Sequence, residues 1–191
     1  PVLMAADILV YRGTLVPVWG TADPGEEVYV HFEQKTADGK REEGKAVRAD
    51  KDGKWMARIG PFEPGEAGVL TIRGRERKAP PKGKAPPWNL VFKNVLVGEV
   101  WICSGQSNMQ WEMYRSTLDP EKAIKEANHP KIRLFQVPRR ATAEPQSDVA
   151  ARWTECSPAT VRNFSVVAYF FGRHLHEKLN VPIGLIDTSF G

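Results

Sequence analysis

Five small or polar residues, Ser104-Gly105-Gln106-Ser107-Asn108, follow directly on the apolar run Val100-Trp101-Ile102-Cys103. Residue types of this kind, in this place, suit a hydroxyl nucleophile held at the end of a strand and facing a cleft. The same residues also suit a plain turn, because Ser, Gly and Asn all favour chain reversals. Ser104 adjoins the strand and needs only to cap or turn it. Ser107 lies beyond Gly105, which permits backbone angles that other residues resist. The pattern is not the G-x-S-x-G nucleophile elbow, since Met109 stands where the second glycine belongs. Spacing alone leaves turn and nucleophile both open.

Acyl transfer from a serine needs two further things, donors for an oxyanion and a base for the hydroxyl proton. The Ser107 N–H is one candidate donor. Gly191, at the end of another apolar run, is the second. The base is harder to find. The four histidines are His31, His129, His174 and His176, and no Asp-x-x-His occurs. His31 falls in a strand pattern and His129 in a helix-ending turn. His174 and His176 lie deep in a helical segment. Each suits a surface or packing role better than catalysis. Trp111, just past the serines, either flanks a sugar ring or packs, while Trp55, Trp88, Trp101 and Trp153 read as core or boundary residues. Cys103 and Cys156 lack C-x-x-C spacing, so no zinc site is expected, and buried free thiols are favoured over a disulfide.

Composition narrows the function classes. The chain has 191 residues, 41% hydrophobic and 26% charged, which suits one ordinary domain or two small ones. Its apolar runs are too short to span a bilayer as a helix. No basic, apolar leader opens the chain, as expected where an export signal is absent or already removed. The net charge of +4 is partly concentrated between Arg73 and Lys84. This basic run is broken by Pro and Gly and holds no interleaved aromatics. It reads as a solvated loop, and no nucleic-acid partner is expected.

The elements that must position these residues fall into two groups. Up to about residue 93 the pattern is that of short strands. Glu27–Lys35 alternates, Ala37–Lys40 turns, Lys45–Ala49 is a short strand, and Asp50–Trp55 carries an Asp-Gly hairpin signal. Lys54–Ile59 and Gly68–Gly74 continue the series, which together suggests a small β-sandwich. A proline-rich stretch over residues 75–88 reads as an exposed connection. From residue 94 the character changes. Val95–Cys103 is almost unbroken in apolar residues, as in a strand covered on both faces. Asp119 and Pro120 open a short helix that Pro130 stops. Lys131–Val137 is a second strand, and a long amphipathic helix runs over residues 162–180. Its Val167, Phe171, Leu175 and Leu179 share one stripe. Val181–Gly191 is a third strand. Strands alternating with helices predict a parallel α/β sheet, with ligands bound beyond the carboxyl ends of its strands. Two domains are therefore expected, residues 1–93 and 94–191.

Read together, these segments resemble the sialate O-acetylesterase family, a branch of the SGNH-type hydrolases. The resemblance is carried by "VPVWGTADPGEEVYV", "DGKWMARI", "HPKIRLFQVP" and the run from Trp153 to Gly191, in that family's order. "NVLVGEVWICSGQSNMQWEM" is its most specific piece. The implied fold is a small β-sandwich followed by the first part of an SGNH-hydrolase-like α/β/α parallel sheet. The implied reaction is hydrolysis of O-acetyl esters on sugars, notably sialic acids, with acetylated xylan as an alternative substrate. By this resemblance Ser107 is the nucleophile, and Ser107 and Gly191 bind the oxyanion. Gln106, Asn108 and Trp111 are the expected substrate contacts. No metal or organic cofactor is implied. The family's later blocks, with an oxyanion asparagine and an Asp-x-x-His pair, have no counterpart in these residues. The chain is therefore expected to be the amino-terminal portion of a longer enzyme, inactive and aggregation-prone without the rest. A non-catalytic carbohydrate-binding or scaffold protein is the other expectation. The resemblance implies a secreted, periplasmic or lysosome-like compartment.

Overall fold

The computed structural model describes residues 9–74, 88–116, 119–146 and 148–191. Most of the basic run and of the proline-rich connection therefore lies outside the described residues. The strands are β1 (Leu9–Tyr11), β2 (Val16–Thr21), β3 (Glu27–Thr36), β4 (Gly39–Arg48), β5 (Lys54–Ile59), β6 (Gly68–Gly74), β7 (Asn89–Cys103), β8 (His129–Gln136), β9 (Trp153–Cys156) and β10 (Ile183–Asp187). The helices are α1 (Ser107–Gln110), α2 (Pro120–Glu126), α3 (Pro158–Val161) and α4 (Val166–Leu179), with one 3-10 turn at Met113–Arg115.

One mixed sheet in the order β4-β3-β6-β7-β10-β8-β9 organises the molecule, with β1 also pairing β7 and with β2 and β5 forming a separate two-stranded sheet. The alternation of β3 is explicit, with Val28, Val30, Phe32 and Gln34 buried. Gln34 is tolerated inside because its amide donates to the Glu63 carbonyl at 2.9 Å. Val16, Val18, Trp55, Ala57, Ile59, Phe62, Leu70 and Ile72 complete this core. Each of the Val, Ile, Leu and Phe side chains among them contributes roughly 1.5–3 kcal/mol on burial.

Several details differ from the sequence reading. β4 extends over the whole of Gly39–Arg48, and it pairs with β3 through the two-residue loop Ala37-Asp38. The Asp-Gly signal near residue 52 instead links β4 to β5, and β5 pairs with β2. Asp50 organises that turn by accepting from the Asp52 and Lys54 N–H groups, each at 2.9 Å. His129 begins β8 rather than ending a helix. A short antiparallel strand, β9, was not anticipated at all; it pairs with β8.

β7 joins the antiparallel and parallel parts. Its first half pairs antiparallel with β6 and its last five residues pair parallel with β10. The expected boundary at residues 93 and 94 falls inside this strand, beside Asn94, whose φ is 60°. Buried Arg133 of β8 donates to the Asn94 amide oxygen at 3.0 Å, tying the parallel strands to that point. The expectation that β7 is covered on both faces fails at its end. Trp101 is 41% exposed although Phe171 of α4 packs edge-on against it at 5.2 Å, and Ile102 is 72% exposed.

The long helix is shorter than expected and turned the other way. Ser165 caps it, accepting from the Ala168 N–H at 3.1 Å, and residues 162–164 precede it as a turn. Its buried face is Ala168, Tyr169 and Gly172, while Val167, Phe171 and Leu179 of the apolar stripe are exposed. Close approach explains the reversal. A β-carbon on Gly172 would lie 2.6 Å from Leu185 of β10, so the helix approaches the sheet most closely through its glycine. The second core forms there, from Met113, Ile124, Ile132, Leu134, Phe164, Ile183 and Leu185. No helix among the described residues is long and apolar enough to cross a membrane.

Candidate active site

Parallel pairing brings the ends of β7 and β10 level, with Asp187 opposite Cys103. Both strands leave the sheet there, and their continuations stay together. The Thr188 N–H donates to the Cys103 carbonyl at 2.9 Å, and the Phe190 N–H donates to the Gly105 carbonyl at 3.0 Å. Gly105 has φ +156°, and a β-carbon on it would stand 3.0 Å from that of Met109. Both facts favour glycine where the chain turns from strand to helix. Asp187 shapes the second turn. It is buried, and one carboxylate oxygen accepts from the Ser189 N–H at 2.9 Å and its hydroxyl at 2.6 Å.

Ser107 is the first residue of α1 and is exposed. The backbone of Gly191 lies against its nitrogen, since a β-carbon on Gly191 would be 2.5 Å from that atom. The Gly191 N–H donates to the Gln110 side-chain oxygen at 2.8 Å. A four-residue helix holds itself in place poorly; α1 is held from outside. The Ser165 hydroxyl donates to the Met109 carbonyl at 2.5 Å, and the Val166 N–H donates to the Trp111 carbonyl at 2.9 Å. The first turn of α4 is thus the support on which the serine helix rests.

A cleft of about 470 Å³ opens beside these groups, lined by Ser107, Gln110, Trp111, Glu112, Arg115, Arg139 and Gly191. The Trp111 indole N–H donates to the Arg115 carbonyl at 2.8 Å, and the residue is 46% exposed. Glu112 lies between two guanidinium groups, 3.4 Å from Arg139 and 3.4 Å from Arg115. Of the residues expected from sequence, Ser107, Gly191 and Trp111 come together here. Gln106 and Asn108 are exposed beside the serine but do not line the cleft. Gln110, Glu112, Arg115 and Arg139 were not anticipated. Arg139 has no local signal, for it arrives from the loop after β8.

None of the four histidines lines the cleft. His129 starts β8, whose other end adjoins Asp187. Burial, with His176 and Arg173 nearby, pushes its pKa down. His176 bonds through Nδ1 to the Val181 carbonyl at 2.7 Å, and His31 stacks on Tyr29. Cys103 and Cys156 are both free and buried, so the expected thiols are found rather than a disulfide. Burial and the neighbouring Asp187 push Cys103 up to about 11, and burial pushes Cys156 up to about 12. Among the described residues no group of three His, Cys, Asp or Glu could hold a metal ion.

The mixed sheet thus carries a serine just beyond the end of one parallel strand and a glycine-bearing turn beyond the end of its neighbour. A carbohydrate acetylesterase from Xanthomonas citri matches 100% of this chain with a TM-score of 0.84 and 31% identity, over 40% of its own length. More particularly, the chain is similar to the sialate O-acetylesterases. Those of Pongo abelii and Homo sapiens are each 29% identical over 182 residues, covering 91% of this chain. That of Mus musculus is 29% identical over 184 residues. The chain spans about a third (33%) of the length of the Pongo abelii and Homo sapiens relatives. No family model matches it. The similarity covers nearly the whole chain, as the resemblance carried by several segments in order implies.

Proposed function

We propose that this chain is the serine-bearing, amino-terminal segment of a carbohydrate O-acetylesterase acting on O-acetylated sugars, sialic acids first among them. The observation that carries this reading is the exposed Ser107 beside a cleft, with the Gly191 backbone against its nitrogen. The Ser107 hydroxyl oxygen attacks the acetyl carbonyl, and an imidazole takes its proton. The Ser107 and Gly191 N–H groups stabilise the resulting oxyanion, Gln110 giving way at Gly191. The carbon–oxygen bond to the sugar then breaks, and the proton passes to the sugar oxygen. Water hydrolyses the acetyl-serine and restores the hydroxyl. Trp111 contacts the sugar within the cleft, and Gln106 and Asn108, exposed beside Ser107, contact it from outside the cleft lining. The imidazole comes from residues outside this chain, since none of its own lines the cleft. On the same reading the chain divides into a β-sandwich over residues 1–93 and the first part of an SGNH-like hydrolase domain over residues 94–191. The protein belongs to a secreted, periplasmic or lysosome-like compartment.

The test uses the protein expressed from its complete reading frame. A fluorophosphonate should label Ser107, and hydrolysis of O-acetylated sialic acid should disappear in Ser107→Ala. Turnover that survives this change would refute the assignment. The 191 residues alone should neither be labelled nor hydrolyse p-nitrophenyl acetate. A second reading takes acetylated xylan as substrate; the name of the Xanthomonas citri protein specifies only a carbohydrate and is compatible with either sugar. Comparing the two acetylated substrates separates them.

A further inference from the structure

The cleft beside Ser107 holds two guanidinium groups and one carboxylate, so its lining carries one net positive charge. Glu112 neutralises one of them at most. The two arginines are not equivalent. Arg115 is engaged by its neighbour, its Nε donating to the Tyr114 hydroxyl at 2.7 Å and its guanidinium lying over the Tyr114 ring at 5.2 Å. Its side chain is also 65% exposed. The Arg139 side chain is 24% exposed and lines the same cleft. Its two contacts are long, 3.4 Å from Nη1 to Glu112 and 3.5 Å from Nη2 to the Gln110 carbonyl. A partly desolvated guanidinium with two loose contacts has donors to offer, and its planar fork matches a carboxylate with two parallel bonds.

We propose that Arg139 is a specificity residue that pairs with the carboxylate of an acidic sugar while Ser107 faces the acetyl group. The proposal rests on the esterase reading above, and it adds the residue that distinguishes a charged from a neutral sugar. Three parts of the chain build this subsite. Parallel pairing of Gln136 with Asp187 carries the loop after β8 to the serine turn, where Arg139 meets Glu112 and Gln110. Glu112 acts as the counter-charge that orients Arg139. Its other oxygen stays with Arg115, 3.4 Å away.

The experiment compares an O-acetylated sialic acid with its methyl ester, which removes the charge and keeps the sugar. Wild type, Arg139→Gln and Arg139→Lys are measured in the protein from its complete reading frame, with kcat and KM separated. Wild type should prefer the acid about tenfold to a hundredfold in kcat/KM, the range expected of hydrogen bonds to a charged group. The preference should lie mainly in KM and should shrink as salt is added. Arg139→Gln should bring the acid-to-ester ratio toward one, and Arg139→Lys should keep part of it. Equal treatment of acid and ester by wild type would overturn the proposal, as would an equal loss on both in Arg139→Gln. A second measurement stands apart from turnover: calorimetric binding of the de-O-acetylated acid and of its methyl ester. If no variant hydrolyses either ester, the esterase reading fails, and binding decides the subsite. Tighter binding of the acid that depends on Arg139 upholds it, and equal binding overturns it.

Discussion

The α-carbon of Gly191 faces the backbone nitrogen of Ser107 so closely that a methyl group there would stand 2.5 Å from it. This contact joins the ends of two parallel strands, and it leaves no room for a side chain at residue 191. Gly191→Ala should therefore push the second turn away from the serine. In the complete protein, deacetylation should fall about a hundredfold, the loss typical of one missing oxyanion donor. The melting temperature should hardly move, because Gly191 is exposed and the clash is relieved by a loop. Steady-state kinetics and a thermal melt together check this.

Ser165 holds two elements at once. Its buried hydroxyl donates to the Met109 carbonyl at 2.5 Å and accepts from the Ala168 N–H at 3.1 Å. Ser165→Ala should cost about 1–2 kcal/mol in stability through loss of the cap. It should also free α1 from its support, so activity should drop even at temperatures where the variant is folded. Denaturant melts and rate measurements at equal folded fraction test both halves.

The two thiols predict a pH dependence. Cys103 is raised from 9.0 to about 11 and Cys156 from 9.0 to about 12, both chiefly by burial. Below the unfolded value of 9.0, folded and unfolded chains are both protonated and the thiols add no pH dependence. Above it the unfolded chain gives up protons that the folded chain retains. Stability should thus be full below about pH 9 and fall as pH rises through the folded values. A Cys103→Ala, Cys156→Ala double variant should flatten the decline. Both thiols should resist a disulfide-exchange reagent at pH 8 until the protein unfolds.

Exposed aromatic and aliphatic groups near the end of β7 predict self-association of the 191 residues on their own. Trp101 packs edge-on against Phe171 at 5.2 Å, yet they are 41% and 41% exposed, and Ile102 is 72% exposed. Surface of this kind promotes association. Sedimentation of the 191-residue chain should show concentration-dependent species, reduced by Ile102→Lys. A single monomeric species over the whole concentration range would contradict the expectation.

Much of this molecule was legible in order of residues alone. Alternation marked β3 and β6, because a half-buried strand must repeat every two residues. Asp119 and Pro120 announced α2, whose cap accepts from the Lys122 N–H at 3.2 Å. Ser107 and Gly191 stood out because small residues directly after apolar runs mark strand ends. What local pattern left undecided was which faces meet. The apolar stripe of α4 suggested burial of Val167 and Phe171, but contact distance to β10 selected Ala168 and Gly172 instead. The order β7-β10-β8 likewise came only from tertiary pairing, and it is this order that brings Arg139 across to Glu112. Periodicity is written along the chain and survives in any fold. Neighbours between distant segments depend on sheet register and on the space available between packed elements, and those exist only once the chain has folded.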